Sequence, residues 1–405
     1  MPAQVPVPAS APATTDSSRL VVLDALRALA VLLVIGRHLR IPYSLSPESG
    51  TRIFAELWQR GGWIGVDLFF VLSGFLVSGL LFREHQQHGR VSLGRFFVRR
   101  GLKIYPAFYA FLAATLALRL AWGRYPEWSQ VLSELFFVQN YVHGVWNHTW
   151  SLAVEEHFYI LLPLLLLFLL RHSHARRDPF TALPLICAVL MGGLLVLRIQ
   201  NAIAVPYEHA SHLFPTHLRI DSLMFGVLLS YWFHYHRDQF RGFVMRRRAV
   251  LAMLGVALLV PPFLMELPAS VGLHTVGLTG LALGSGLLLA TALHAPDGLQ
   301  RLLKPFARIG AYSYSIYLWH LPVLGYWLTW VEGVLGTRLP WWPRTILGVS
   351  ACIAFGVGIS QLIEYRVLRF RDRHFPSNSR PIDLPALRQT PRGQPATGTE
   401  ASVTP

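Results

Sequence analysis

Long apolar stretches separated by short arginine-rich segments recur along the whole chain. About ten of them approach the roughly 20 residues that a helix needs to cross the hydrocarbon core of a bilayer. They lie near 20–39, 63–82, 104–122, 151–170, 180–199, 213–233, 249–266, 271–293, 309–330 and 345–365. A spanning segment must satisfy its own backbone polar groups, which a helix does and an isolated strand does not. No alternating pattern of the kind that builds a membrane barrel is present. The expected fold is therefore all-α: a polytopic transmembrane helix bundle of about ten spans.

The basic residues test this division. Arg83, Arg90, Arg95, Arg99, Arg100 and Lys103 fall between the second and third stretches, and Arg171, Arg176 and Arg177 between the fourth and fifth. Arg237, Arg241, Arg246, Arg247 and Arg248 follow the sixth, and Arg301, Lys304 and Arg308 the eighth. The alternate loops are poorer, the richest holding Arg40, Arg52 and Arg60. Basic loops face the cytoplasm, so both termini are expected there too. Only 14% of the 405 residues are charged and 53% are hydrophobic, against roughly 25% charged in soluble domains. The net charge of +15 thus reads as a topology signal for a multi-pass protein whose partner is the lipid bilayer, not nucleic acid.

Residues 1–18 are rich in Pro, Ala and Ser without a basic n-region, which gives a disordered tail and not a cleaved signal peptide. Residues 373–405 have the same character, leaving 19–372 as one transmembrane domain. Cys187 and Cys352 both sit in apolar stretches, away from any His/Asp cluster at ligand spacing. Neither a disulfide framework nor a metal site is expected.

The informative residues are the polar ones inside the spans. "LDALRALAVLLVIGRHLR" carries Arg27 and His38, which at about 100° per residue share one helix face and stand about 16 Å apart along the axis. Snorkelling to the two interfaces is the alternative to a role facing a cavity. "WSLAVEEHFY" places Glu155 and Glu156 about a turn below the outer end of the fourth stretch. A carboxylate there suits a His/Glu general-base pair with His38. Glu155 is the favoured member, though spacing alone does not separate it from Glu156. On the inner side Arg100 and Lys103 are neighbours on a helical turn that fits a polyphosphate grip or a plain positive-inside anchor. Asp67, Arg219, Asp221, His320 and Glu364 complete the set. Arg219 and Asp221, two apart, point away from each other and call for partners on other helices. A structural role for His320 beside Pro322 fits the sequence, and Gly65, Gly74 and Gly79 suggest close helix packing.

In order and spacing, the Arg27-x10-His38 span, "GVDLFFVLSGFL", "RRGLKIYP", "WSLAVEEHFY", "RIDSLMFGVLL" and "YSIYLWHLPV" resemble the membrane-bound acyltransferase-3 family over nearly all of residues 20–370. The resemblance implies transfer of an acyl group, often acetyl, from cytoplasmic acyl-CoA to a hydroxyl. The acceptor would be an extracytoplasmic glycan or a small secondary metabolite, and the setting a bacterial inner membrane. Acyl-CoA would be a donor substrate; no tightly bound cofactor is implied. His38 matches the essential histidine, Arg27 its paired arginine, Arg100 and Lys103 an arginine pair for the donor, and Ser151 and Glu155 a Ser-Leu-x-x-x-Glu-like element. Asp67, Ser151, Arg219 and Asp221 are then substrate-facing or supporting residues. Lys103 departs from the arginine pair and gives up bidentate phosphate geometry. "IEYRVL" lacks the proline common after this glutamate in relatives. No second, soluble transferase domain is expected after the tenth stretch. The competing class is a proton-coupled transporter of an organic acid or glycan, since buried ionisable residues serve that function as well.

Overall fold

The computed structural model describes residues 21–379, apart from 43, 44, 47, 174 and 176. The expected N-terminal tail and the part of the C-terminal tail beyond 379 lie outside the described residues. All regular structure among the described residues is helical. The apolar α1 (Val21–Arg37) is followed by the amphipathic α2 (Gly50–Gly61), which turns through a 3-10 step into α3 (Gly65–His88). Next come α4 (Leu93–Ala121), the short α5 (Trp128–Leu135), α6 (Trp150–His172) and α7 (Leu183–Ala204). One turn, α8 (His209–His212), precedes α9 (Ile220–Tyr235), α10 (Arg237–Arg246), α11 (Arg248–Leu259), α12 (Pro261–Leu264) and α13 (Leu278–Ala292). The described chain closes with α14 (Asp297–Ala311), α15 (Ser313–Pro322), α16 (Leu328–Leu335), α17 (Trp341–Ile359) and α18 (Tyr365–His374).

Six helical runs are long and apolar enough to cross a membrane: Gly50–His88, Leu93–Ala121, Asn147–His172, Leu183–Ala204, Leu273–Ala292 and Trp341–His374. The other four expected stretches are also helical. Three are shorter, Val21–Arg37, Ile220–Tyr235 and Arg248–Leu264. The fourth, 313–335, is dense in Tyr, Trp and His and is broken by a π turn at Val323–Trp327 just after Pro322. The domain boundary drawn at 372 falls inside α18, and the segment behind it is tied down: Arg95 bonds the Pro376 carbonyl and the Asn378 side chain, and Arg99 the Phe375 carbonyl.

In a bilayer, helices associate through close packing and polar contacts rather than through transfer of apolar surface from water. Both devices are present here. Cβ atoms at Gly74 and Gly226 would stand 1.9 Å from the Leu223 carbonyl oxygen and 2.2 Å from that of Val71, so only glycine allows the backbones of α3 and α9 to meet. Buried aromatics flank this crossing, Phe75 and Phe82 of α3 packing edge-on against Phe233 and Tyr231 of α9. Leu185, Val189, Val196 and Ile203 on α7 and Val250, Met253 and Val256 on α11 face outward, as a lipid-facing surface requires.

Candidate functional site

Buried charge is organised at the start of α9. Asp221 binds Arg198 of α7 at 2.5 Å, and Arg219 binds Asp67 of α3 at 2.9 Å. The two-residue spacing does direct the pair to different helices. Arg198 also donates twice to the Leu218 carbonyl, at 2.8 and 2.6 Å, and to Thr279 at 2.9 Å. Through these bonds Arg198 pins the turn that carries Arg219. Asp67 Oδ1 also accepts from Ser222 at 3.0 Å.

His38 lies one residue beyond α1, where its ring packs 5.1 Å from that of His320, centroid to centroid, and His148 lies 5.0 Å from His320 on a second side. Backbone carbonyls fix the tautomers of the two buried rings. His148 Nε2 bonds the Leu318 oxygen at 3.1 Å and His320 Nδ1 bonds the Tyr317 oxygen. A carbonyl can only accept, so each of these nitrogens carries the hydrogen. His148 Nδ1 and His320 Nε2 are then bare lone pairs, and neither has a partner among the described residues. Pro322 makes the first bond available: the Leu318 carbonyl would ordinarily take the N–H four residues on, and proline has none. Tyr317 closes the cluster, donating to the His148 carbonyl at 2.7 Å and accepting from Ser151 at 2.6 Å.

The turn holding His148 is anchored from outside the spans by Glu134 on α5, which accepts from the Trp146 N–H at 3.1 Å and the Thr149 hydroxyl at 2.8 Å. Burial pushes the Glu134 carboxyl up to about 7, against the opposing pull of those two donors.

Toward the other end of the bundle a second polar group assembles. Lys103 feels the charges of Arg27, Arg100, Glu364 and Arg371. Arg27 is paired with Asp24 at 2.7 Å, and Arg100 lies 4.0 Å over the Tyr159 ring. Glu364 sits in a π turn (Ser360–Glu364) and accepts from Ser315 and Ser360 at 3.0 and 2.8 Å. Glu155 faces Arg100, Ser73, Tyr159 and Lys103, and Glu156 accepts from Tyr105 at 2.9 Å. The sequence-derived residues therefore divide: Arg27, Arg100, Lys103 and Glu155 gather at one level, and His38 and Ser151 at another. The neighbours described for His38 are His320, His148 and Arg37, not Glu155. Tyr317, which senses the Glu155 charge and packs 5.6 Å from His320, lies between the levels.

Periodicity explains the connecting column. Ser151, Glu155 and Tyr159 are four apart on α6 and form one stripe, as Tyr314, Tyr317 and His320 do at three-residue spacing on α15. The two stripes meet at the Ser151–Tyr317 bond. At the His38 end is a cavity of about 430 Å³ lined by His38, His148, Tyr317, Arg219, Arg37 and Trp150, among others. A neighbouring hollow of about 470 Å³ shares Arg37, His209 and Leu267 with it.

His148 and Arg198 were not singled out in the sequence, and His320 was read there only as structural. His148 and His320 approach across a long sequence separation, which no local pattern reports. For Arg198 a signal existed: a lone arginine in the apolar run "LLVLRIQNAI" needs a buried partner.

The family model described as an acyltransferase domain matches residues 20–361. The chain is 30% identical over 368 residues to the peptidoglycan O-acetyltransferase OatA of Listeria monocytogenes, covering 84% of this chain and 54% of that protein. It is 28% identical over 325 residues to the O-acetyltransferase OatA of Staphylococcus aureus, covering 75% of this chain and 50% of that protein. The chain thus spans about half the length of these curated relatives. No solved structure matches it.

Proposed function

Because the chain belongs to the acyltransferase-3 family, we propose that it is a membrane O-acetyltransferase that takes acetyl from acetyl-CoA on the cytoplasmic side and delivers it to a hydroxyl of an extracytoplasmic glycan. In this reading the helices cross a bacterial inner membrane ten times, with both termini on the cytoplasmic side. The observation that carries it is the polar column: a basic group at one end, two polar stripes, and an imidazole cluster facing a cavity at the other. Arg27 and His38 are about 16 Å apart along α1, a distance that the extended arm of an acyl-CoA bridges.

Arg27, Arg100 and Lys103, with Arg371 beside them, would hold the donor's phosphates, and the α6 and α15 stripes would line its arm. Glu155 belongs to this donor level, where it orients Arg100 and Lys103. His38 is the base. It takes the proton of the acceptor hydroxyl as that oxygen attacks the thioester carbonyl, and returns the proton to the departing thiolate when the tetrahedral adduct collapses. His320, with its Nδ1 hydrogen committed to the Tyr317 carbonyl, packs against the His38 ring and would present its bare Nε2 to it, so orienting it. A positioned base adds about 10²–10⁴-fold. That both relatives named above are O-acetyltransferases supports the acyl group, and that the Listeria monocytogenes one is a peptidoglycan O-acetyltransferase supports a glycan acceptor.

The test is incubation of membranes with labelled acetyl-CoA and glycan. Wild type leaves ester-linked label on the acceptor, His38→Ala abolishes it without loss of insertion, and Arg100→Ala mainly raises the donor KM. Full activity in His38→Ala removes His38 from the chemistry. Uptake of label without esterification would identify a carrier instead.

A further inference from the structure

Arg219 is only 1% exposed, yet its Nε and Nη1 have no hydrogen-bond partner among the described residues. Its Nη2 goes to Asp67. The guanidinium carbon lies 5.9 Å from the Phe70 ring centroid and 5.7 Å from that of Trp150, so carbon surrounds it except where it lines the cavity. Charged donors without an acceptor in such surroundings are costly, more so than neutral ones. An anionic ligand removes that cost. Arg37 lines the same cavity and spends Nη1 on the Gln59 carbonyl at 3.3 Å. Of the acids nearby, Asp67 lies behind Arg219 and Glu208 is exposed. Leaving aside Glu208, which lines the cavity but is exposed to solvent, Arg219 and Arg37 against Asp67 leave one net positive charge, which a single carboxylate matches better than a phosphate dianion does. Trp63, Trp150 and Phe214 supply apolar walls, with Trp150 and Phe214 stacked at 4.8 Å, of the kind that packs against a sugar ring's C–H face.

We propose that this cavity selects an acidic glycan, and that Arg219 and Arg37 hold a carboxylate on the sugar whose hydroxyl is acetylated next to His38. The proposal rests on reading the cavity as the acceptor side of the acetyltransferase. Arg219, pinned by Asp67 and by the Arg198-braced turn, would set which sugar is accepted.

The experiment uses the full chain in nanodiscs with labelled acetyl-CoA. Two acidic acceptors are presented, a glucuronate-containing oligosaccharide and a glycan strand with free lactyl carboxylates. Each is compared with its neutral carboxamide and with a neutral glycan. Charge-assisted hydrogen bonds of this type correspond to about a 10- to 100-fold lower KM for the carboxylate form. In Arg219→Gln that ratio falls toward one. Because this change strands Asp67, the double variant Asp67→Asn/Arg219→Gln is measured beside it, and the same fall in ratio is expected. A wild-type ratio near one, or a ratio that persists in both variants, overturns the proposal. So does an equal loss of kcat on acid and amide, which would make Arg219 a donor to the transition state instead. Transfer to the neutral glycan alone overturns it while leaving the acetyltransferase reading intact. Absence of acetyl-CoA-dependent transfer to every acceptor sinks that reading itself.

Discussion

Exchanging His320 for asparagine isolates the proposed orienting contact from the base. The ring is fully buried, packs 5.1 Å from His38, and donates through Nδ1 to the Tyr317 carbonyl. An asparagine amide reaches the carbonyl but ends short of the position of Nε2, so His38 keeps its chemistry and loses the neighbour that fixes its ring. Loss of the base outright would forfeit about 10²–10⁴-fold. Loss of its orientation should forfeit part of that, about 10- to 100-fold in kcat, or roughly 1.4–2.7 kcal/mol of barrier. The donor KM should hold steady, because the Arg27 and Lys103 level lies about 16 Å away along α1. The longer His320→Gln, whose amide oxygen can approach the Nε2 position, should recover part of the rate. The assay is initial-rate transfer of labelled acetyl in proteoliposomes, normalised to folded protein by its melting curve. A kcat for His320→Asn within about twofold of wild type would refute the orienting role, and a loss matched equally by His320→Gln would reduce His320 to a packing residue.

Two further outcomes concern stability. A Cβ on Gly310 would stand 1.7 Å from the Asp24 carbonyl oxygen, so Gly310→Ala should push α14 off α1 at a cost of roughly 1–3 kcal/mol. A melting temperature in detergent equal to that of wild type would show that the two helices part freely. Glu134 has a folded-state carboxyl raised to about 7, above its unfolded value. The folded chain therefore binds the proton more tightly, and stability falls as pH rises from about 4.5 to about 7, then levels off. Glu134→Gln, which keeps an acceptor for Trp146 and Thr149, should flatten that slope and melt higher than wild type at pH 8; an unchanged pH dependence would count against the assignment.

Much of the scaffold was legible from periodicity and charge. Six of the apolar stretches are long apolar helices, and the remaining four are helices shortened or interrupted by what they carry, such as the Tyr/Trp/His-rich 313–335 with its proline and π turn. The divergence of Arg219 and Asp221 followed from 100° per residue alone. The pairing of His38 was not legible. Glu155 lies at the right end of the right helix, yet one-dimensional depth does not say which neighbour a side chain turns to, and it turns to Arg100 and Lys103. His320 looked like a packing residue because its proximity to His38 and His148 is a property of how α15 lies against the rest of the bundle.

Pro322 bears on the imidazole cluster without a polar atom in its side chain. By withholding one amide hydrogen it leaves the Leu318 oxygen vacant for His148, and so decides which nitrogen of a distant ring is protonated. Restoring that hydrogen with Pro322→Ala would set a helix rung in competition with an imidazole for the same lone pairs. The hydrogen carried by one ring of the cavity wall thus depends on an imino acid that does not line the cavity, and a search confined to ionisable side chains would pass over it.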